Sequence, residues 1–316
     1  MLNLPSKPMS LPSPLRGIIP PLITPLHSDS SLDLKSLEKV LSHIINGGVH
    51  GVFILGTTGE CSSLSYAVKN QLIEATCKFV AGQIPVLVGI TDCAVQESLN
   101  LANLAKSSGA DAVVAAPPFY MNIGQEELCT YFQRLADEIP LPLFLYNMPS
   151  HTKIAIEQET VLELAKHPNI IGLKDSSGNG VYFQSLLNSL ASQVDFTLTV
   201  GPEEMLVETV LMGGHGAVAG GANLFPSLYV KLYQAALDKD FEQIHLYQKV
   251  VMEVSSKLYG HGNCKSSYLR GVKATCEFLG LSQGYLASPL YGFSESELIE
   301  FRKKFDQVHS LFLSIT

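Results

Sequence analysis

Pro142-Leu143-Phe144-Leu145-Tyr146-Asn147-Met148-Pro149, the amphipathic stretch 158–166, and Ile170-Ile171-Gly172-Leu173-Lys174 follow one another in the middle of the chain. The two short apolar runs read as strands covered on both faces, and the apolar residues between them recur near a 3.6-residue period, which is the pattern of a helix. A strand that returns beside its predecessor through a helix is parallel to it, with a right-handed crossover.

Outward from this unit the alternation repeats. Apolar runs at 17–23, 51–55, 85–89, 112–115, 197–200 and 216–220 bring the candidate strands to eight, and helical patterns occupy 34–45, 66–80, 96–106, 126–138 and 205–212. Eight is the number of parallel strands that closes a (β/α)₈ TIM barrel, so this is the predicted fold, with a doubly wound sheet as the alternative. After the eighth strand the pattern is helical alone, at 226–237, 241–257, 266–279 and 294–312. The expected organisation is a loose tail over 1–15, the barrel over 16–225 and a C-terminal helical extension over 226–316 packed on it.

Composition narrows the function classes. The chain has 316 residues, 46% of them hydrophobic and 16% charged, with 25 glycines, which suits an α/β protein. Its net charge of -8 includes no basic run, so nucleic acid is not an expected partner. The six cysteines stand apart without a CxxC pair, against a zinc site and against a secreted disulfide framework. No apolar stretch approaches the roughly 20 residues of a membrane span, and the stretch 1–13 has no apolar signal core. A cytoplasmic location is the expectation, with no metal and no organic cofactor.

In barrels the chemistry gathers at the C-terminal ends of the strands. Lys174 ends one of them, and pointing inward it enters a low-dielectric space that favours the neutral, nucleophilic amine. Taken alone, a strand-end lysine is more often solvated. Tyr146 ends the preceding strand and offers a phenol for proton transfer, and Tyr120, in Pro117-Pro118-Phe119-Tyr120, offers another. Gly56-Thr57-Thr58-Gly59-Glu60 follows the second strand, where backbone N–H groups of Thr57 and Thr58 can converge on an anion. His215, in Gly213-Gly214-His215-Gly216, reads as structural, and Glu203-Glu204 as a solvated helix N-terminus.

These motifs, GTTGE at 56–60, PPFY at 117–120, LYNMPS at 145–150, GLKDSSG at 172–178 and GGHGAV at 213–218, stand in an order and spacing that resembles the dihydrodipicolinate synthase/N-acetylneuraminate lyase family, collinear from Arg16 onward. The resemblance implies that Lys174 forms a Schiff base with pyruvate or another 2-oxo acid and that Tyr146 transfers protons. It implies that Thr57 relays between Tyr146 and Tyr120, with Tyr120 supplied by a neighbouring subunit of a homodimer or homotetramer. Thr57 and Thr58 would hold the 2-oxo acid carboxylate, and the Val218 carbonyl would lie near the lysine.

Four departures bear on the second substrate and on regulation. His151 stands where the synthases carry an arginine for the carboxylate of aspartate semialdehyde, and a largely neutral imidazole has no bidentate fork. Lys153 replaces a glycine in the same loop. Phe119 and Lys69 stand where lysine-regulated members have tyrosine and histidine, so the resemblance does not extend to lysine feedback. The leading expectation is an aldolase joining or releasing pyruvate and an aldehyde, with a 2-oxo-3-deoxy sugar acid or 4-hydroxy-2-oxoglutarate as substrate and His151 among the binding residues. The alternatives are 4-hydroxy-tetrahydrodipicolinate synthase and a non-catalytic barrel that binds a 2-oxo acid.

Overall fold

The computed structural model describes residues 11–315 apart from residue 263. Its elements run β1 (Gly17–Ile18), α1 (Leu34–Asn46), β2 (Val52–Ile54), α2 (Tyr66–Val80), β3 (Val86–Gly89), α3 (Val95–Ser108), β4 (Ala112–Ala115), α4 (Gln125–Glu138), β5 (Leu143–Asn147), α5 (Pro149–Thr152), α6 (Gln158–Leu164), β6 (Ile170–Asp175), α7 (Gly180–Ser189), β7 (Thr197–Val200), α8 (Leu206–Leu211), β8 (Gly216–Ala217), α9 (Pro226–Asp238), α10 (Phe241–Val254), α11 (Ser267–Phe278) and α12 (Glu295–Leu313). The strands pair in parallel in the order β1-β8-β7-β6-β5-β4-β3-β2. The ring closes where Leu22 N–H donates to Phe53 O at 2.8 Å and Phe53 N–H donates to Pro20 O at 2.9 Å. The predicted (β/α)₈ barrel with a C-terminal helical extension is the observed fold, and the doubly wound sheet is not.

Helix starts follow local chemistry. Asp33 accepts from Ser36 N–H ahead of α1, Ser65 from Val68 N–H ahead of α2, and Asp240 from Gln243 N–H ahead of α10. Each satisfies a backbone donor that the first helical turn leaves open. Two ladders are shorter than the apolar runs. Pro20 and Pro21 have no N–H to give, so β1 stops at Ile18, and the run after β8 turns into a short 3₁₀ segment, Gly220–Asn223. The helix α7 was not among the predicted ones, because glycines flank it. Asn179 caps it, accepting from Tyr182 N–H at 3.1 Å.

Of the tail expected over 1–15, residues 1–10 lie outside the described residues. Its last residue is not loose: Leu15 is buried in the barrel floor, and its N–H donates to Thr197 Oγ1 at 2.9 Å. Leu15, Ile19, Phe53, Leu87, Val114, Phe144 and Val218 belong to the core inside the barrel. Their strand neighbours, such as Val52, Ile54, Leu143, Leu145 and Ala217, face the helices in a second core.

The pairing of β5 with β6 shifts register between Leu143 and Phe144, so that Leu143 opposes Ile170 while Phe144 opposes Gly172. Ile171 is the extra residue of a β-bulge, and the shift it creates brings Tyr146 opposite Lys174. The predicted helix 241–257 also departs from regularity, since α10 gives way to a π-helical turn, Ser255–Tyr259.

Closure of the ring requires Gly216. Its φ is +138°, and a Cβ there would sit 2.0 Å from Gly17 O on β1. Gly216→Ala is expected to cost about 3 kcal/mol in urea denaturation, as overpacking added to backbone strain. Gly213→Ala, at φ +96° with open space around the position, is expected to cost only about 1 kcal/mol.

Candidate active site

The C-terminal ends of β5 and β6 place Tyr146 and Lys174 side by side. Lys174 is 5% exposed, and its Nζ lies 4.0 Å from the centre of the Tyr146 ring and 5.1 Å from that of Phe53. Among the described residues no carboxylate stands within ion-pair distance of this amine. The phenol of Tyr146 is 3.1 Å from Thr57 Oγ1, and Phe53 meets the Tyr146 ring edge-on, at 6.3 Å between centres. Sequence reasoning passed over Phe53, whose ring fits beneath the loop because residue 56 is glycine: a Cβ there would lie 2.7 Å from that ring.

The GTTGE loop is bent by left-handed backbone at Leu55 and Glu60, both with φ of 57°. Glu60 N–H returns to Thr57 O, whereas the N–H groups of Thr57 and Thr58 find no acceptor among the described residues. Two free donors at a barrel rim suit an oxyanion. The Thr58 hydroxyl lies 3.0 Å from Tyr268 OH, on α11. Tyr268 also escaped sequence reasoning, because nothing local in the C-terminal helices marks the residue that reaches the rim. Lys174, Thr57, Thr58, Tyr146, His151 and Val218 line one chamber of about 330 Å³, and Thr57, Tyr146 and His151 also line an adjoining one of about 690 Å³.

The expected solvated pair Glu203-Glu204 is a correction. Glu203 is buried, its Oε1 accepting from Tyr229 OH at 2.5 Å and Tyr259 OH at 2.6 Å, and its Oε2 from Gly221 N–H at 2.8 Å. Glu204 accepts from Ser255 OH. The π-helical turn that carries Tyr259 folds over this segment, burying Glu203 and leaving Glu204 half-buried. Burial pushes the Glu203 carboxyl up to about 7, against the opposing pull of its tyrosine donors. His215 is structural, as expected: its Nδ1 accepts from Leu198 N–H at 2.8 Å, and burial holds its pKa down to about 4.

Of the remaining predicted site residues, His151 shares the chamber of Lys174, whereas Tyr120 is not brought to the amine within its own chain. Tyr120 is 84% exposed beside exposed Met121, and touches neither Thr57 nor Tyr146 in its own chain. His151 lies at the rim with its Nδ1 3.0 Å from Ser150 Oγ, and desolvation followed by the charge of Lys153 holds its pKa below the ordinary value. Lys153 is turned away, donating to Ser150 O at 2.7 Å. Lys69 is buried in the larger chamber, 4.7 Å from the centre of the Tyr66 ring. Among the described residues no group of acidic, histidine or cysteine side chains could hold a metal ion, and no helix is long and apolar enough to cross a membrane.

A pH dependence follows from Glu203. Its folded pKa lies above that of the free carboxyl, so the folded state binds more protons between the two values and loses stability as pH rises through that window. Glu203→Gln stays neutral, and the melting temperature of the wild type is expected to fall relative to that variant between pH 5 and about 7.5. Parallel melting curves across the range would contradict the assignment.

Comparison with known proteins places this geometry. The chain is 33% identical to a probable 2-dehydro-3-deoxy-D-pentonate aldolase, YjhH, of Escherichia coli K12, over 88% of this chain and 92% of that one. It is also 33% identical to a 4-hydroxy-tetrahydrodipicolinate synthase of Methanospirillum hungatei, over 88% and 94%. The structure of dihydrodipicolinate synthase from Bacteroides thetaiotaomicron superposes with a TM-score of 0.91 at 48% identity, covering 94% of this chain and 99% of that one. That of YagE from E. coli K12, in complex with pyruvate, gives 0.88 at 27% identity, covering 93% and 98%. The model of the dihydrodipicolinate synthetase family matches residues 14–308, and the chain belongs to that family of pyruvate-dependent, Schiff-base-forming lyases.

Proposed function

We propose that Lys174 is the Schiff-base residue, that Tyr146 moves the protons, and that the reaction is the aldol cleavage or formation of a 2-oxo-3-deoxy sugar acid or 4-hydroxy-2-oxoglutarate. The observation that carries this reading is the buried amine without a carboxylate partner, set 4.0 Å from the Tyr146 ring whose hydroxyl meets Thr57. An ammonium held for structure would be ion-paired; this one faces a chamber.

The chemistry follows from those positions. The neutral Lys174 amine adds to C2 of the 2-oxo acid, and the carbinolamine loses water to give the imine. In the cleavage direction the C4 hydroxyl gives up its proton, the C3–C4 bond breaks, its electron pair passes into the imine to form an enamine, and the aldehyde leaves. Protonation at C3 and hydrolysis then release pyruvate and restore the amine. Tyr146 is the phenol placed to shuttle these protons, and the Thr57 and Thr58 N–H groups are the donors placed for the substrate carboxylate.

Polar groups in the chamber of Lys174 favour a hydroxylated substrate. Glu203, Glu204 and Tyr268 share its wall, a polar lining that suits a chain of hydroxyls. The 4-hydroxy-tetrahydrodipicolinate synthase reading draws support from the 48% identical Bacteroides structure. Against it stands His151, held neutral where a carboxylate-gripping cation is needed. The non-catalytic reading leaves the amine, phenol and relay hydroxyl without a purpose. A homo-oligomer is part of the proposal, with Tyr120 reaching the site of a second copy; its 84% exposure beside Met121 supports this reading.

Borohydride with pyruvate is expected to fix an adduct on Lys174, located by peptide mapping, and Lys174→Ala to abolish it. Tyr146→Phe should slow turnover by about 10²–10⁴-fold, the range of a lost proton-transfer group. Cleavage of a 2-oxo-3-deoxy sugar acid or 4-hydroxy-2-oxoglutarate should exceed condensation with aspartate semialdehyde by at least an order of magnitude in kcat/KM. The reverse ranking gives the function to the synthase reading.

A further inference from the structure

The loop that carries Thr57 and Thr58 is anchored outside the barrel. Glu60 ends it in the left-handed region, φ 57° and ψ 30°, a conformation that a glutamate keeps only when its surroundings impose it. Its Oε1 lies 2.8 Å from Lys273 Nζ on α11, and both side chains are almost wholly buried. Its Oε2 accepts from Ala287 N–H at 2.7 Å. Lys273 spends its other donors on backbone, giving hydrogen bonds to Thr24 O at 2.6 Å and Tyr285 O at 2.7 Å. Thr24 itself donates from Oγ1 to Gly59 O at 2.7 Å. The helix α11 therefore grips the loop twice, at Glu60 through Lys273 and at Thr58 through Tyr268.

This arrangement exceeds what stability alone requires. A buried ion pair is replaceable by apolar residues of similar volume at little cost, so its presence here calls for a reason in geometry. Residues 57–60 form one short turn, closed by Glu60 N–H donating to Thr57 O at 3.0 Å, so the backbone that carries Thr57 and Thr58 is coupled to that of residue 60.

We infer that Lys273, through its ion pair with Glu60, is a positioning residue that holds the Thr57 and Thr58 N–H groups in the orientation that binds the 2-oxo acid carboxylate. The inference rests on the Schiff-base reading of Lys174. It gives the C-terminal helical region a part in substrate binding, in addition to its packing.

The test uses the full-length protein, borohydride trapping over a range of pyruvate concentrations, and urea denaturation of the same samples. Lys273→Met and Glu60→Gln each strand one partner and are expected to be much less stable; the double variant, with no buried charge, is expected to recover most of the denaturation midpoint. Its half-saturating pyruvate concentration should nevertheless rise at least tenfold while the maximal trapped fraction is kept. Glu60→Asp, which keeps the charge but shortens the reach, supplies a second folded variant and should raise half-saturation severalfold. Recovery of both midpoint and half-saturation in the double variant, or unshifted half-saturation in Glu60→Asp, overturns the positioning role. Absence of trapping on Lys174 in the wild type defeats the Schiff-base reading and this inference with it, whereas trapped wild type with unshifted variants defeats the inference alone.

Discussion

The pleat phase shared by neighbouring strands is the constraint on which this molecule depends. In a parallel ladder, residues in register point to the same side, so Tyr146, Lys174 and Thr199, aligned across β5, β6 and β7, all turn into the barrel. A slip of one residue would hand Leu145 or Leu173 to the chamber and Lys174 to the helices. The bulge at Ile171 sets this phase. Without it Tyr146 would oppose Leu173, and amine and phenol would face opposite sides of the wall. The bulge is possible because residue 172 is glycine, whose Cβ would otherwise lie 2.6 Å from Thr197 O and 2.7 Å from the Phe144 ring.

This explains which features were legible in the sequence. Strand–helix alternation depends on local periodicity, and it placed all eight strands and located Lys174 and Tyr146 at strand ends. The residues that were missed or misread depend on contacts between distant segments. Glu203-Glu204 follows Gly201-Pro202 and opens a helical segment, which is what a solvated first turn looks like; only the return of the chain at Tyr229 and Tyr259 buries it. Phe53 looks like any strand phenylalanine until the register of the ring brings it beside Tyr146. Tyr268 and Lys273 sit in a helical stretch whose periodicity reports burial but not the neighbour being buried against.

The treatment of charge follows the same division between local and distant. Glu60 and Lys273 neutralise each other in the dry region between the loop and α11, and the carboxyl of Glu203 is surrounded by donors. Lys174 has no such partner, and its positive form is met only by the faces of two aromatic rings. A site built this way keeps the amine out of the ion pairs that the fold needs. The groups required to stay charged are tied down elsewhere.

In the proposed reaction, the two halves are consequently built by different parts of the chain. The amine and phenol are held by strand register, and the proposed carboxylate cradle is held by the buried contacts of α11 with the 56–60 loop. The groups that would meet the second substrate, His151 and Lys153 on the loop after β5 and Glu204 beside the π-helical turn, lie at the rim, where substitution disturbs little packing. A barrel arranged in this way can exchange its aldehyde while keeping its 2-oxo acid. In the function proposed here, the lowered pKa of His151 and the polar residues along the chamber wall are what favour a hydroxylated partner.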